Sequence, residues 1–556
     1  MLIQLEDKFR KASELHRKGL LESARLVCEE ILADQAVHFD ALNLLGLIAA
    51  QTRNPKLAAT LLGQALRVNP ANPFTQCNLG TALQALGEWD AALASYDRAV
   101  SLKPDYALAY NNRGNVLRSL RRLHEALASF ERAIEIQVNF VEAYSNLGNV
   151  QGELRLWELA LASYDKALAL RPDFAEGHSN RGSALRALSR PGEALASFDK
   201  AIAIRPGYAE AHVNRGNVLC ELQEFESATA AYNRAIATQK DYAPAHVSRG
   251  LMHLLHGNFE RGWADYEWRW RDAPSGSSSK ARSFSQPLWL GKESLAGKTI
   301  LLHDEQGLGD SLQFCRYAKL VADEKATVIL GVQKPLLGLM RGLAGVTHLV
   351  TEGLPVTDFD FHCPLLSLPL AFNTRLHTIP APRGYLSADA AKTALWQTRI
   401  SSTPAPRIGL VWSGSTNHAN DHTRSIPLTE MLQFLPRDLQ YISLQKHLRP
   451  GDDAMLRAQP EIADVAGELH DFTDTAALCQ CLDLVITVDT SVAHLNGALG
   501  NPTWLLLPFN PDWRWLLKRD DSPWYPTLKL YRQIRPGDWR ELLSRVRADL
   551  LRTFRP

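Results

Sequence analysis

The chain has 556 residues, 46% apolar and 22% charged, with a formal net charge of +1. That length accommodates two to four domains with sizeable cores, and the near-neutral balance excludes a strong field for nucleic acid or an anionic membrane. Seven scattered cysteines, with only Cys479-x-Cys481 closely spaced, form no zinc-type pair of pairs and fit a reducing compartment. The charged opening MLIQLEDKFRKASELHRKG has no signal-peptide core, and no stretch reaches about 18 uninterrupted apolar residues. The expected location is the cytoplasm.

From the N-terminus a repeat dominates. Gly46, Gly80, Gly114, Gly148, Gly182, Gly216 and Gly250 fall 34 residues apart. Ala58 to Ala228, the aromatics Tyr96, Phe130, Tyr164, Phe198, Tyr232 and Tyr266, and Ala65 to Ala235 keep the same spacing. Proline closes most units. Small residues let two helices approach, an aromatic is expected to fill the gap between units, and proline ends the second helix. A single unit cannot bury its apolar stripe, so the units must stack. The pattern resembles tetratricopeptide repeats, about seven from residue 39 to 276, with a degraded unit at 5–38. GNFERGWADYEWRWRD keeps the frame through Tyr266 and is expected to cap the array where it meets something else.

Asn78, Asn112, Asn146, Asn180 and Asn214 are also 34 apart, in the first helix of each unit. Asn115, Asn149 and Asn217 add a partial second row. First helices line the concave face of such arrays, and an amide both donates and accepts. The row resembles the asparagine ladder in the repeats of protein O-GlcNAc transferases, which implies binding of an extended polypeptide by its backbone. The alternative is that these are consensus residues bonded within and between helices.

Periodicity stops near residue 272, and APSGSSSKARSFSQP reads as linker. Strands and helices then alternate. GKTILLHDE and ATVILGV read as strands, SLQFCRYAKLVADE and KPLLGLMRGL as helical, and THLV and FDFHCP as short strands. After STPAPR come strands at RIGLVWSG, LQYISLQ, LVITVD, TWLLLPF and LKLYRQ. Helices are read at TDTAALCQCLD, SVAHLNGALG and DWRELLSRVRADLLRTF. The alternation predicts two Rossmann-like parallel-sheet domains in tandem, with a ligand cleft at the carboxyl ends of their strands. The expected organisation is repeats at 1–272, linker at 273–296, a first α/β domain at 297–395 and a second at 396–556. The fold class is an α-solenoid followed by an α/β pair that resembles the GT-B glycosyltransferases.

Four motifs carry candidate chemistry. In HDEQGLGDSLQF, Gly307 and Gly309 allow a tight turn and Asp310 starts a helix. In LVITVDTSVAHLNGALG a strand ends at Asp489, and the free N–H groups near Thr490, Ser491 and Val492 suit a diphosphate, with His494 on the first turn. GLVWSGSTNHANDHTRSIPL places Ser413, Gly414 and Arg424 after a strand; His418 and His422 sit in a loop unsuited to metal. YISLQK offers Gln445. Asp512, Trp513, Arg514 and Trp515 come after the helix SVAHLNGALG and the strand TWLLLPF, where the aromatics would stack on a sugar or pack on the terminal repeat.

These motifs resemble those of the heptosyltransferase-like family, glycosyltransferase family 9. The resemblance implies Asp310 as general base for an acceptor hydroxyl. It implies a donor site of Gly307, Gly309, Ser413, Gly414, Arg424, Gln445, Asp489, Thr490, Ser491 and His494. Arg424 stands where the family has a diphosphate-neutralising lysine. Ser491 replaces a glycine of the family, and the acidic nucleoside contact is absent. The expected function is inverting, metal-independent sugar transfer from a nucleotide-sugar to a polypeptide held by the repeats. No cofactor, nucleic acid or membrane span is expected. Two alternatives stand: an interaction scaffold with an inactive transferase half, and a transferase acting on a glycan or lipid-linked acceptor.

Overall fold

The computed structural model describes residues 2–271, 284–351, 358–400, 405–416 and 420–554. The first part of the predicted linker, 273–283, and His418 lie outside these residues. The chain divides into two compact units, Met1–Gln239 and Lys240–Pro556.

The first unit is a solenoid of paired helices, from Leu2–Arg17 and Leu21–Asp34 to Ala209–Glu221 and Phe225–Thr238. The repeating glycine explains the pairing. A Cβ on Gly148 would stand 2.6 Å from the Tyr164 ring, and one on Gly114 2.6 Å from Phe130. The aromatic therefore sits on the glycine of its own unit, 16 residues earlier, and not between units as the spacing suggested. Both Phe130 and Phe198 are fully buried. The turn between the helices uses a left-handed residue at Arg53, Gly87, Arg121, Arg155, Ser189 and Gln223, again on the 34-residue period.

The second unit holds the last helix pair, Ala243–Leu255 and Phe259–Tyr266, together with two parallel sheets. The first sheet contains β1 (Thr299–His303), β2 (Thr327–Val332), β3 (His348–Thr351) and β4 (Phe361–Pro364) in the order β3-β2-β1-β4. The second contains β5 (Arg407–Val411), β6 (Gln440–Ser443), β7 (Ile462–Asp464), β8 (Leu484–Val488), β9 (Thr503–Leu507) and β10 (Leu528–Arg532) in the order β10-β9-β8-β5-β6-β7. β8 and β9 are buried along their whole length, as parallel strands covered on both faces must be. The C-terminal helix Trp539–Phe554 covers one side through Leu542, Leu543, Val546 and Leu550.

The predicted helix at KPLLGLMRGL is instead a short 3-10 turn, Lys334–Leu336, followed by a chain bent at Gly342 and Gly345 with positive φ. SLQFCRYAKLVADE is split into Leu308–Phe314, a 3-10 turn and Ala318–Asp323. Within the predicted linker, Trp289 is buried and its N–H donates to the His362 carbonyl at 2.8 Å, which ties this stretch to β4. The charged, Trp-rich end of the repeats meets the α/β part directly. Trp263 Nε1 donates to the Thr374 carbonyl at 3.1 Å, and the buried Arg269 forks onto Glu305 at 2.8 and 3.0 Å.

The glycine–aromatic contact is open to test. Gly148→Val is expected to destabilise the first unit by about 1–3 kcal/mol through overpacking on Tyr164. Gly63→Ala, whose Cβ would meet nothing within 4 Å, is expected to stabilise it by about 0.5–1 kcal/mol. Urea melts followed by circular dichroism would read both; equal effects would contradict the packing account.

Candidate functional site

In each sheet the site residues lie where the strand order turns back on itself. β1 has β2 on one side and β4 on the other; β5 has β6 on one side and β8 on the other. Loops leaving the carboxyl ends of such neighbours diverge and open a crevice. The turn Gly307–Asp310 follows β1, Ser413 and Gly414 follow β5, Gln445 follows β6, and Asp489 follows β8.

Asp310 caps its own turn: its Oδ2 accepts the Gly307 N–H at 2.8 Å. Its Oδ1 accepts from the Arg514 guanidinium. Arg514 also donates to Gln313 Oε1 and Asp512 Oδ1, each at 2.8 Å. Burial pushes the Asp310 carboxyl above the usual aspartate range, against the pull of Arg514. Gly309 lies against His494, where a Cβ would be 2.8 Å from the imidazole Cδ2. That contact joins the Gly-Asp turn to the helix Ser491–Leu499.

That helix starts with no side-chain cap at Thr490; the Ala493 N–H donates to the Thr490 carbonyl at 3.1 Å, which leaves the N–H groups of Ser491 and Val492 for another acceptor. Thr490 Oγ1 pairs instead with Thr487 Oγ1 at 3.1 Å. Arg424 Nη1 donates to the Asp489 carbonyl at 2.9 Å, which puts a guanidinium at the same helix end. The guanidinium covers Gly414, where a Cβ would be 2.5 Å from Nη2. Arg424 Nε, Trp515 Nε1 and the Ser413 hydroxyl are buried without a hydrogen-bond partner. Asp421 supports this arrangement. It holds Arg449 and accepts the Ser425 hydroxyl at 3.0 Å, and Ser425 in turn accepts the Gly414 N–H at 3.1 Å.

Burial and the neighbouring Asp512 push the Asp489 carboxyl up to about 6, against the Trp515 indole and the charges of Arg424 and Arg514. His494 is buried, its Nδ1 lies 2.9 Å from the Tyr525 hydroxyl, and its ring stacks on Trp515 at 5.3 Å. Burial and the charges of Arg514, Arg316 and Arg424 hold it well below the usual imidazole range, so it is neutral.

Gln445 follows β6, as its motif suggests, and its amide is fully engaged. Its Oε1 accepts the Trp412 and Ser413 N–H groups at 3.2 and 3.0 Å, and its Nε2 donates to the Ser413 and His447 carbonyls at 3.1 and 3.0 Å. Three of these bonds fix the loop after β5 and the fourth holds the loop after β6. Sequence reasoning missed the role of Arg514, whose partner lies 204 residues away; the only local signal was a basic residue between two tryptophans. Trp513 packs edge-on against Trp263 of the last repeat at 5.2 Å. Among the described residues no group of three or more His, Cys, Asp or Glu is placed to hold a metal.

In the first unit, Asn78, Asn112, Asn146, Asn180 and Asn214 are all half-buried in the first helices. Part of the ladder bonds to itself. Asn146 donates to Asn111 Oδ1 at 3.0 Å and Asn180 to Asn149 Oδ1 at 3.1 Å. Asn149 and Asn217 also accept the Tyr164 and Tyr232 hydroxyls. Each of these pairs leaves part of an amide's capacity unused. Arg–Glu pairs such as Arg118–Glu153 and Arg186–Glu221 bridge the far ends of successive first helices.

Family models for tetratricopeptide repeats match residues 9–73 and 145–209, 107–140, and 185–248, and a TPR repeat model matches 82–120. The N-terminal half is thus a tetratricopeptide-repeat array, a scaffold capable of protein contacts. Protein FlbA of Caulobacter vibrioides is 26% identical over 327 residues, 54% of this chain and 53% of FlbA. The chain thus spans about half the length of that relative. Among solved structures, YrrB, a TPR protein with an unusual peptide-binding site, is 28% identical, with 35% of this chain and all of YrrB covered at a TM-score of 0.30. PilF of Pseudomonas aeruginosa is 18% identical, with 40% of this chain and 96% of PilF covered at a TM-score of 0.35. No helix among the described residues is long and apolar enough to cross a membrane.

The raised carboxyl of Asp489 sets a pH dependence. With a folded value near 6 and an ordinary unfolded one, the native state holds the extra proton between about pH 4 and 6. Its contribution to stability is therefore lost as pH rises through 6. Asp489→Asn is expected to match wild type near pH 4 and to exceed it by about 1–3 kcal/mol above pH 7. Denaturant melts across that range check it; a gap that narrows with rising pH contradicts the assignment.

Proposed function

We propose that the second unit is a GT-B-type glycosyltransferase that binds a nucleotide-sugar and transfers the sugar, with inversion, to a polypeptide recruited by the repeats. The observation that carries this reading is the pairing of Arg424 with the uncapped helix start at Asp489. A guanidinium and the first backbone N–H groups of an uncapped helix converge on one point, as a diphosphate requires. Ser413, Gly414, Thr490 and Ser491 line that point, and Gln445 fixes its loop. The neutral His494 adds no competing charge. Asp310 takes the proton of the acceptor hydroxyl as its oxygen attacks the anomeric carbon. The bond from that carbon to the phosphate oxygen breaks, and the nucleoside diphosphate leaves with the electron pair, stabilised by Arg424 and the helix end. No metal is needed for this charge balance. The unused amide capacity of Asn78, Asn112, Asn146, Asn180 and Asn214 suits the backbone of an extended acceptor.

The engagement of Asp310 by Arg514 favours a second reading, in which the base is masked and the chain is a scaffold with an inactive transferase half. Thermal shift with UDP-, GDP- and ADP-sugars separates the two. One donor is expected to raise the melting temperature of wild type but not of Arg424→Ala; no shift from any donor supports the scaffold. Asp310→Asn is expected to keep donor binding and lose transfer by about 100-fold or more, read by mass spectrometry of modified cell protein. Unchanged protein modification with altered glycan would move the acceptor to a glycan or lipid-linked sugar.

A further inference from the structure

We infer that Arg532 is a positioning residue for the diphosphate site: its guanidinium clasps the strained turn after β9 and so places Arg514 and Trp515 in the site. The inference rests on the reading of that site as a diphosphate binder.

The turn does not hold its shape by local preference. After the 3-10 turn Trp513–Trp515 the chain passes through Leu516 at φ 55, ψ −165, and Lys518 also has φ 53. Side-chain-bearing residues rarely adopt these angles, and no glycine stands in the segment 512–521 to absorb them. Something outside the turn must therefore hold it.

Arg532, the last residue of β10, supplies that hold. Its Nη2 donates to the Trp515 carbonyl at 2.5 Å, its Nη1 to the Leu516 carbonyl at 3.0 Å and its Nε to the Arg519 carbonyl at 2.8 Å. All three are backbone acceptors in the strained segment. A lysine ammonium is a single point on a flexible stem and cannot span three carbonyls in one plane. Arg532 is itself anchored, because its carbonyl accepts from Arg545 Nη2 at 2.5 Å and its strand is in register with β9 at Leu507. Burial and the nearby Arg519 bring its own guanidinium down to about 10, against the pull of Asp520.

Two of the three gripped carbonyls belong to Trp515 and to Leu516, which directly follows it; the third, of Arg519, closes the turn. Arg514 reaches Asp310 and Gln313 from this turn, and Trp515 stacks on His494 while its indole opposes the rise of the Asp489 carboxyl. None of the described hydrogen bonds of the Arg532 side chain reaches Asp310, Arg424, Asp489 or His494, so it acts through the turn. Releasing the clasp lets Leu516 relax, and the relaxation withdraws the Arg514 fork and the Trp515 ring together.

The test uses the full chain with Arg532→Lys and Arg532→Ala, each checked by circular dichroism, and inorganic pyrophosphate as the probe. Hydrogen exchange is expected to speed up in 513–519 and in the turn 306–311 of both variants, while the repeats and the helix Trp539–Phe554 keep wild-type rates. Pyrophosphate binding, read by calorimetry, is expected to weaken tenfold or more in both, and millimolar guanidinium is expected to restore it in Arg532→Ala. Unchanged exchange in 513–519, or exchange that rises evenly across the whole unit, overturns the proposal. So does wild-type-like pyrophosphate affinity in Arg532→Lys, or a lost affinity that guanidinium does not recover. Should wild type itself fail to bind pyrophosphate, the diphosphate reading falls while the exchange pattern still decides the role of Arg532.

Discussion

The second unit depends on one fork of hydrogen bonds, that of Arg514. This guanidinium leaves the loop after β9 in the second sheet and ends on Asp310 and Gln313, which follow β1 in the first. Without it the Asp310 carboxylate would be a buried, unpaired charge, whose cost far exceeds that of an ordinary lost hydrogen bond. The fork is thus both a joint between two loops and the condition under which an acid can sit in the crevice at all.

Around that joint the charges alternate. Arg316, Arg424 and Arg514 approach His494, and Asp310, Asp489 and Asp512 lie among them. Arg316 takes no part in a carboxylate pair among its described hydrogen bonds. It donates to the Gln313, Pro380 and Trp524 carbonyls, and its guanidinium lies over Tyr385 and Tyr525 at 4.6 and 4.5 Å. Fixed charges held by carbonyls and ring faces cannot reorganise easily. A cation held in this way is preorganised to stabilise an anion, which is what electrostatic stabilisation requires. Asp489 is the group that pays for this crowding, since burial and Asp512 both oppose its ionisation.

The repeats were legible because one steric problem recurs every 34 residues: a ring must lie on a backbone with no Cβ, as Tyr164 lies on Gly148. The left-handed turn positions recur at the same period but stayed invisible, because Arg121, Arg155, Ser189 and Gln223 occupy them in place of glycine. In the α/β part the strands were legible from their apolar runs, while KPLLGLMRGL read as a helix because its apolar spacing outweighed glycines that bend the chain. The placing of Asp489 at a strand end and of His494 on the following helix was legible from local pattern. The saturation of Gln445 and the reach of Arg514 were not. Both are long-range hydrogen-bond facts, spanning 32 and 204 residues, with no local pattern to announce them.

A crystal structure of the full chain with bound UDP tests the central claim most directly. The account predicts the diphosphate between the Arg424 guanidinium and the first N–H groups of Ser491–Leu499, with Arg514 still on Asp310. A diphosphate seated elsewhere on the chain, with Arg424 still turned to the Asp489 carbonyl alone, would contradict it.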